Sequence, residues 1–256
     1  MPIKTKDFEW NTVLSWSLDR TKLEKLNNGV TENINRNWFV GEEIGVYYDY
    51  VYDGSWKTSE AAEAAKYGCK PGQIRVKDLN EDGQLDANND RAIVGRVRPR
   101  WSAGWRNTFT YKEFELSFFI FSRWKFTVPA GSANLDGRYA MRSLDYWVAG
   151  ENEDALYYGP GTNGQAQDPY ATSMNYQDGS YIKMRNISLG YNFTKKQLKP
   201  LGINTLKVYV QAMNPFTIYS KCKWLDTDMM NYDNNTRNFG TTTTIRSWVV
   251  GLNVGF

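Results

Sequence analysis

The stretch that decides the fold reads Trp101-Ser102-Ala103-Gly104-Trp105-Arg106-Asn107-Thr108-Phe109-Thr110-Tyr111-Lys112-Glu113-Phe114-Glu115-Leu116. Trp101, Ala103, Trp105, Phe109 and Tyr111 fall on one parity, and Ser102, Gly104, Arg106, Thr108 and Thr110 on the other. Successive side chains of an extended chain point to opposite faces, so this is a strand with one apolar and one hydrophilic side. Its length is that of a tilted strand crossing a bilayer, about 9–11 residues. Tyr111-Lys112-Glu113-Phe114 then makes a tight turn, after which Phe114, Leu116, Phe118 and Ile120 oppose Glu115, Ser117 and Arg123. Phe119 and Phe121 break this second strand by falling on its polar side.

Working outward, the same period of two recurs. Phe8, Trp10, Thr12, Leu14, Trp16 and Leu18 face away from Glu9, Asn11, Ser15, Ser17 and Asp19, with Val13 the exception. Ile187, Leu189, Tyr191 and Phe193 oppose Asn186, Ser188, Gly190 and Asn192, and the phase breaks above them at Lys183 and Arg185, a part expected to project beyond the membrane. Leu206, Val208, Val210 and Ala212 oppose Lys207, Tyr209 and Gln211. Trp248, Val250, Leu252, Val254 and Phe256 close the chain opposite Ser247, Gly251, Asn253 and Gly255. The predicted strands therefore lie near 8–18, 101–111, 114–124, 180–193, 205–215 and 246–256, with long loops at 20–100, 125–179 and 216–245. Short turns on one side and long loops on the other are the outer-membrane arrangement, whereas structureless loops of this length are rare in compact soluble domains. Aromatics gather near strand ends, at Trp10, Trp16, Trp101, Tyr111, Tyr191, Trp248 and Phe256, as interfacial girdles do.

Composition agrees and excludes much. Of 256 residues, 15% are aromatic and 23% charged, and the net charge of +3 is too small to argue for nucleic acid. No apolar run is long enough for a transmembrane helix, which does not exclude a membrane protein, because barrel strands alternate and keep a low mean hydropathy. The absence of histidine removes Ser-His-Asp and Cys-His nucleophiles and His-ligated zinc. Nothing here reads as an enzyme; the carboxylates Asp145, Glu151, Glu153 and Asp154 crowd one loop as a solvated surface would. Cys69 and Cys222 lie far apart and read as unrelated thiols. Met1 is followed by Pro2, Ile3 and Lys4 with no secretory signal, so the expectation is a segment of a longer chain.

Several ordered segments resemble the SusC/RagA family of TonB-linked outer-membrane proteins. They are Gly41 to Tyr48, Tyr50 to Gly54, Pro71 to Ile74, Lys77 to Asp86, Asp90-Arg91, Ile93 to Gly95, Trp101 to Leu116, Ser180 to Tyr191, Val208 to Thr217 and Val250 to Phe256. The resemblance implies the last six strands of an antiparallel transmembrane β-barrel of about 22, with the carboxypeptidase-like N-terminal domain, TonB box and plug absent. It implies import of glycans or peptides across the cell outer membrane of a Gram-negative bacterium. Its implied partners are a SusD-like surface lipoprotein, outer-membrane lipid and TonB, the last reached through the missing N-terminal part. Phe256, with Trp248, Val250, Leu252 and Val254 before it, resembles the terminal-strand signal that barrel-assembly machinery reads.

Two loop features suggest binding. Asp78-x-Asn80-x-Asp82-Gly83-x-x-Asp86 follows the start of an EF-hand loop, with Gln84 offering a carbonyl. Asn89 stands where the bidentate Glu belongs, and Asp90 is the substitute. The reading is a calcium ion bracing a loop; the alternative is a solvated acidic turn. Tyr47, Tyr48, Tyr50, Tyr52 and Trp56 in the first loop, and Trp147, Tyr157, Tyr158, Tyr170 and Tyr176 in the second, suit sugar stacking. For any one of them, packing within the loops or against the partner is the simpler account. Rival readings of the whole chain are a soluble calcium-braced carbohydrate-binding β-domain and a glycoside hydrolase.

Overall fold

The computed structural model describes residues 3–129, 145–159, 168–222, 226–232, 239–241 and 244–256; the remaining parts of the predicted loops 125–179 and 216–245 lie outside the described residues. The chain divides into two units, Met1–Asp19 with Pro99–Phe126 and Asp178–Phe256, and Arg20–Arg98 with Thr127–Gln177.

The first unit is an antiparallel seven-stranded sheet in which every neighbour in space is the next sheet strand in sequence. Its strands are β1 (Ile3–Lys4), β2 (Phe8–Ser17), β3 (Trp101–Tyr111), β4 (Phe114–Trp124), β5 (Tyr181–Asn192), β6 (Thr205–Ser220) and β7 (Ser247–Gly255). Six match the predicted positions. β1 was not expected: it is a two-residue strand, pairing Ile3 with Trp10 and Lys4 with Glu9, too short for a period to register.

Register carries the alternation across the sheet. One row runs Trp10, Phe109, Leu116, Leu189, Val210, Val250, and the next row on the opposite face runs Asn11, Thr108, Ser117, Ser188, Gln211. The phase break in β5 is a bulge, because Phe119 pairs with Asn186 and Ile120 with Met184, leaving Arg185 unpaired. An extra residue reverses parity locally. Tyr181 and Lys183 thus stay on the hydrophilic face, while Ile182 and Met184 stay on the apolar one. The upper part of β5 continues the sheet. On β6 the same irregularity spans Asn214, which takes a left-handed φ of 49°, and Pro215. Pro has no ladder N–H and is tolerated at a bulge, so β6 continues past the predicted end at 215 to Ser220.

The second unit is formed by segments that read as long loops. It contains the strand pairs Val46–Tyr50 with Arg91–Arg96 and Tyr52–Ser55 with Ile74–Val76, and the helix Ala61–Lys66. Trp56, Ala64, Ile74, Val76, Tyr170 and Met174 are buried together as its core. These connections are folded because they contain enough apolar surface to bury.

Candidate functional site

The two faces of the sheet differ in accessibility and chemistry. On the apolar face Leu14 (74% exposed), Trp105, Phe114, Leu116, Leu189, Val210, Trp248 (75%), Val250 (74%) and Leu252 are all open to the surroundings. So large a contiguous apolar surface is beyond what a soluble monomer exposes. Aromatics cluster at both ends of this face. At the turn end the ring centroids of Phe114 and Tyr191, and of Tyr191 and Phe193, are 5.0 Å apart. At the other end Trp101 stacks on Trp124 (5.4 Å) and Trp124 on Tyr219 (5.7 Å). From Phe114 to Trp124 the strand covers about 34 Å at ~3.4 Å per residue. Tilted by roughly 35–45°, that gives a height of about 25 Å, the apolar band of an outer-membrane barrel.

The opposite face is concave and polar. Arg106, Thr108, Glu115, Ser117, Asn186, Ser188, Lys207, Tyr209, Gln211 and Asn253 line one hollow. Lys207 Nζ lies 2.9 Å from Glu115 Oε1 across the middle of it. Small residues make room for large ones here. A Cβ on Gly251 would lie 2.3 Å from Tyr209 Cζ, and one on Gly104 would lie 2.9 Å from Phe119 Cε2. Toward the loop end is a buried ionic cluster that the sequence did not reveal. Lys183 Nζ is 2.6 Å from Asp226 Oδ2, and Arg185 Nη2 is 2.6 Å from Asp228 Oδ1, which also accepts from the Tyr181 hydroxyl. The terminal strand presents Trp248, Val250, Leu252 and Val254 on the open apolar face, and Phe256, 90% exposed, follows it.

In the second unit the predicted aromatic residues separate into two groups. Tyr47, Trp56 and Trp147 are buried, as are Tyr157 and Tyr170. Trp56 stacks on Tyr67, and a Cβ on Gly72 would come within 3.0 Å of the Trp147 ring. Tyr48, Tyr52 and Tyr158 remain partly accessible, with Arg91 lying over Tyr48 and the Tyr52 hydroxyl donating to Leu156 O. Asp168 is fully buried among them, accepting from Ile74 N (2.7 Å) and Tyr170 N (3.1 Å). Burial pushes its carboxyl above the ordinary aspartate range and the Tyr170 phenol up to about 12.

The acidic loop is closed by its own hydrogen bonds. Asp90, fully buried, accepts from Leu79 N (2.8 Å) and Asp86 N (2.7 Å). Asp86 accepts from Asn88 N and Asn89 N, Asp82 from Gln84 N, and Asp78 from Gly83 N. Asn80 Nδ2 donates to Asp82 Oδ2. The donors are hard oxygens suited to calcium, and Asp78 Oδ1 is buried with no hydrogen-bond partner. The carboxylates are nevertheless aimed at amides. Among the described residues no three His, Cys, Asp or Glu side chains converge as a metal site. Both cysteines, Cys69 and Cys222, are buried.

A strand array with a lipid-height apolar outer face and a wet inner face is the wall of a membrane-spanning β-barrel. Comparison with known proteins narrows the class. No protein-family model matches the chain. TonB-dependent receptor P3 of Formosa agariphila is 28% identical over 284 residues, covering 99% of this chain and 27% of the receptor. TonB-dependent receptor SusC of Bacteroides thetaiotaomicron is 24% identical over 253 residues, covering 89% of this chain and 23% of its own. The solved RagAB peptide transporter superposes with a TM-score of 0.69 at 18% identity, over 99% of this chain and 28% of that one. The chain thus spans about a quarter of the length of the curated relatives it matches. Its sheet has the fold of an outer-membrane barrel wall, and along nearly its whole length the chain is similar to TonB-dependent receptors and to the RagAB transporter. Those relatives are named as receptors and as a transporter.

Proposed function

We propose that this chain forms part of the barrel of an outer-membrane TonB-dependent transporter that imports oligosaccharides or other large nutrients, peptides included. A SusD-like surface lipoprotein acts with it at the loop side, and energy arrives from TonB through parts of the protein outside this chain. The observation that carries the reading is the asymmetry of the sheet. Trp248, Val250 and Leu252 stand exposed on one face, while the Lys207–Glu115 pair lies in a polar hollow on the other. A soluble carbohydrate-binding domain would need protein over that apolar face. In the second unit, direct contact with a nutrient falls to Tyr48, Tyr52 and Tyr158, because Tyr47, Trp56 and Trp147 are committed to packing.

Calcium at Asp78, Asn80, Asp82, Gln84, Asp86 and Asp90 is a separate proposal. The register of oxygen donors with Gly83 and the partnerless Asp78 Oδ1 support it.

The test uses the full-length protein in its native outer membrane. Val250→Arg puts a charge on the lipid side, a penalty of about 2–4 kcal/mol at the bilayer midplane. It should abolish the heat-modifiable barrel band and uptake of the nutrient. Ser188→Arg, on the opposite face, should leave the barrel folded and alter only permeation. Equal tolerance of the two substitutions would overturn the assignment of faces.

A further inference from the structure

Phe119 and Phe121 are the two residues of β4 that violate the alternation, large apolar rings on the hydrophilic face. Their surroundings give them a purpose. The Arg106 guanidinium lies over the Phe119 ring, 5.5 Å from its centroid. The Phe121 ring carries two guanidiniums, Arg123 at 5.5 Å and Arg185 at 5.4 Å. The rings themselves are neighbours, with centroids 6.3 Å apart. Gly104, beside Phe119, leaves the space in which that ring lies against the wall.

The cations of this face are then unequal. Lys207 is paired with Glu115, Lys183 with Asp226 and Arg185 with Asp228. Arg106 and Arg123 have no carboxylate within ion-pair distance among the described residues; each guanidinium lies against a phenyl ring, and Arg123 also acts electrostatically on the Tyr181 phenol. A guanidinium stacked on a ring is held in orientation yet keeps its edge N–H groups free, arranged as the fork that fits a carboxylate in bidentate fashion. Stacking also lowers the entropy lost on capture. Arg106 lines the polar hollow, so its fork is accessible from there.

We propose that Arg106 and Arg123, seated on Phe119 and Phe121, form an anion-binding strip on the barrel's inner wall that selects carboxylate-bearing oligomers as cargo. This rests on the transporter reading above, and it names the substrate class that reading leaves open. Charge complementarity commits the strip to an acidic ligand. A neutral oligosaccharide or peptide gains nothing from two unpaired guanidiniums.

The experiment uses the full-length transporter purified in detergent, with its barrel verified by heat modifiability. Binding is measured by calorimetry for four hexamers: hexaglutamate, a neutral hexapeptide, hexagalacturonate and a neutral hexasaccharide. The wild type should bind at least one acidic hexamer about tenfold or more tightly than its neutral counterpart, with a preference that weakens as salt rises. The acidic arm that shows the preference identifies peptide or sugar as the source of the carboxylate. Arg106→Gln and Arg123→Gln should each weaken acidic binding about tenfold and leave neutral binding unchanged. Arg106→Lys should recover part of the loss. No acid preference in the wild type overturns the proposal. So does an equal loss for acidic and neutral ligands in the variants, which would mean that the guanidiniums serve carboxylates elsewhere in the longer protein. Uptake of a neutral nutrient by a correctly inserted barrel would sustain the transporter reading even then.

Discussion

The indole N–H of Trp10 donates to Asn107 Oδ1 at 3.0 Å, from β2 to β3 on the apolar face of the sheet. Asn107 is fully buried there, and its Nδ2 has no partner. Beside it the Trp105 indole donates to Thr12 Oγ1 at 2.9 Å. Two tryptophans thus cover the two polar side chains of the row that pairs Thr12 with Asn107. Hydrocarbon offers no replacement hydrogen bond, so this pairing is what makes the row tolerable in lipid.

Trp10→Phe keeps the ring and removes the donor, stranding Asn107 Oδ1. Urea unfolding of the full-length protein in detergent should show a loss of about 1–3 kcal/mol. Adding Asn107→Leu removes the stranded group and should recover most of that loss. If Trp10→Phe unfolds at the wild-type midpoint, the indole bond contributes nothing.

Tyr209 lies between two glycines, pairing with Gly190 on one side and Gly251 on the other. Gly251→Ala forces the ring away, and the barrel should lose roughly 1–3 kcal/mol, the usual range for overpacking. Tyr209→Ala in that background should relieve the clash, visible as recovery of the heat-modifiable fraction.

Asp228 holds Arg185 and Tyr181 while its side chain is almost fully buried, and Lys183 is buried beside it. Removing one partner of such a cluster leaves buried charge uncompensated, an effect of about 3–5 kcal/mol. Asp228→Asn should destabilise accordingly, with faster amide exchange at the loop end of β5. A change under 0.5 kcal/mol, the size of an ordinary surface substitution, would show the cluster to be solvated.

The backbone N–H of Asn88, helped by the side chain and backbone of Asn89, holds the Asp86 carboxyl below its ordinary value. A folded-state pKa below the unfolded one contributes stability above the unfolded value, and that stability is lost as pH falls through the folded value. Amide protection at Asn88 and Asn89 should therefore survive past the pH at which a free aspartate protonates, then disappear. Protection lost at or above that point would contradict the assignment.

Calcium, if it braces this loop, should slow amide exchange at Gly83 and Gln84 at neutral pH, and a chelator should reverse the effect. Asp82→Ala should remove the response without altering the sheet. Identical exchange in saturating calcium and in chelator would leave the loop to its hydrogen bonds alone.

How much of this was legible follows from the range of each signal. Alternation is local, so Trp101 to Leu116 revealed both strand and turn. β6 runs past 215 because the paired irregularity at Asn214 and Arg185 carries Pro215, which has no ladder N–H, through the sheet, and alternation along one segment does not show such a feature. The Lys183–Arg185 phase break has the same origin. The aromatic residues of the first loop looked alike in sequence, yet Trp56 is buried and Tyr48 is not, a difference set by contacts with Tyr67, Ile74 and Tyr170 far along the chain.

The order of residues along the chain determined where strands cross and which side of each is apolar, because side-chain direction in an extended backbone follows from parity alone. The ring–guanidinium ladder at Phe119 and Phe121, the Lys183–Asp228 cluster and the shielding of Asn107 by Trp10 were decided only by the tertiary structure. Each joins residues on different strands or loops, and register between strands is a property of the assembled sheet, set by packing and bulges that no single segment encodes.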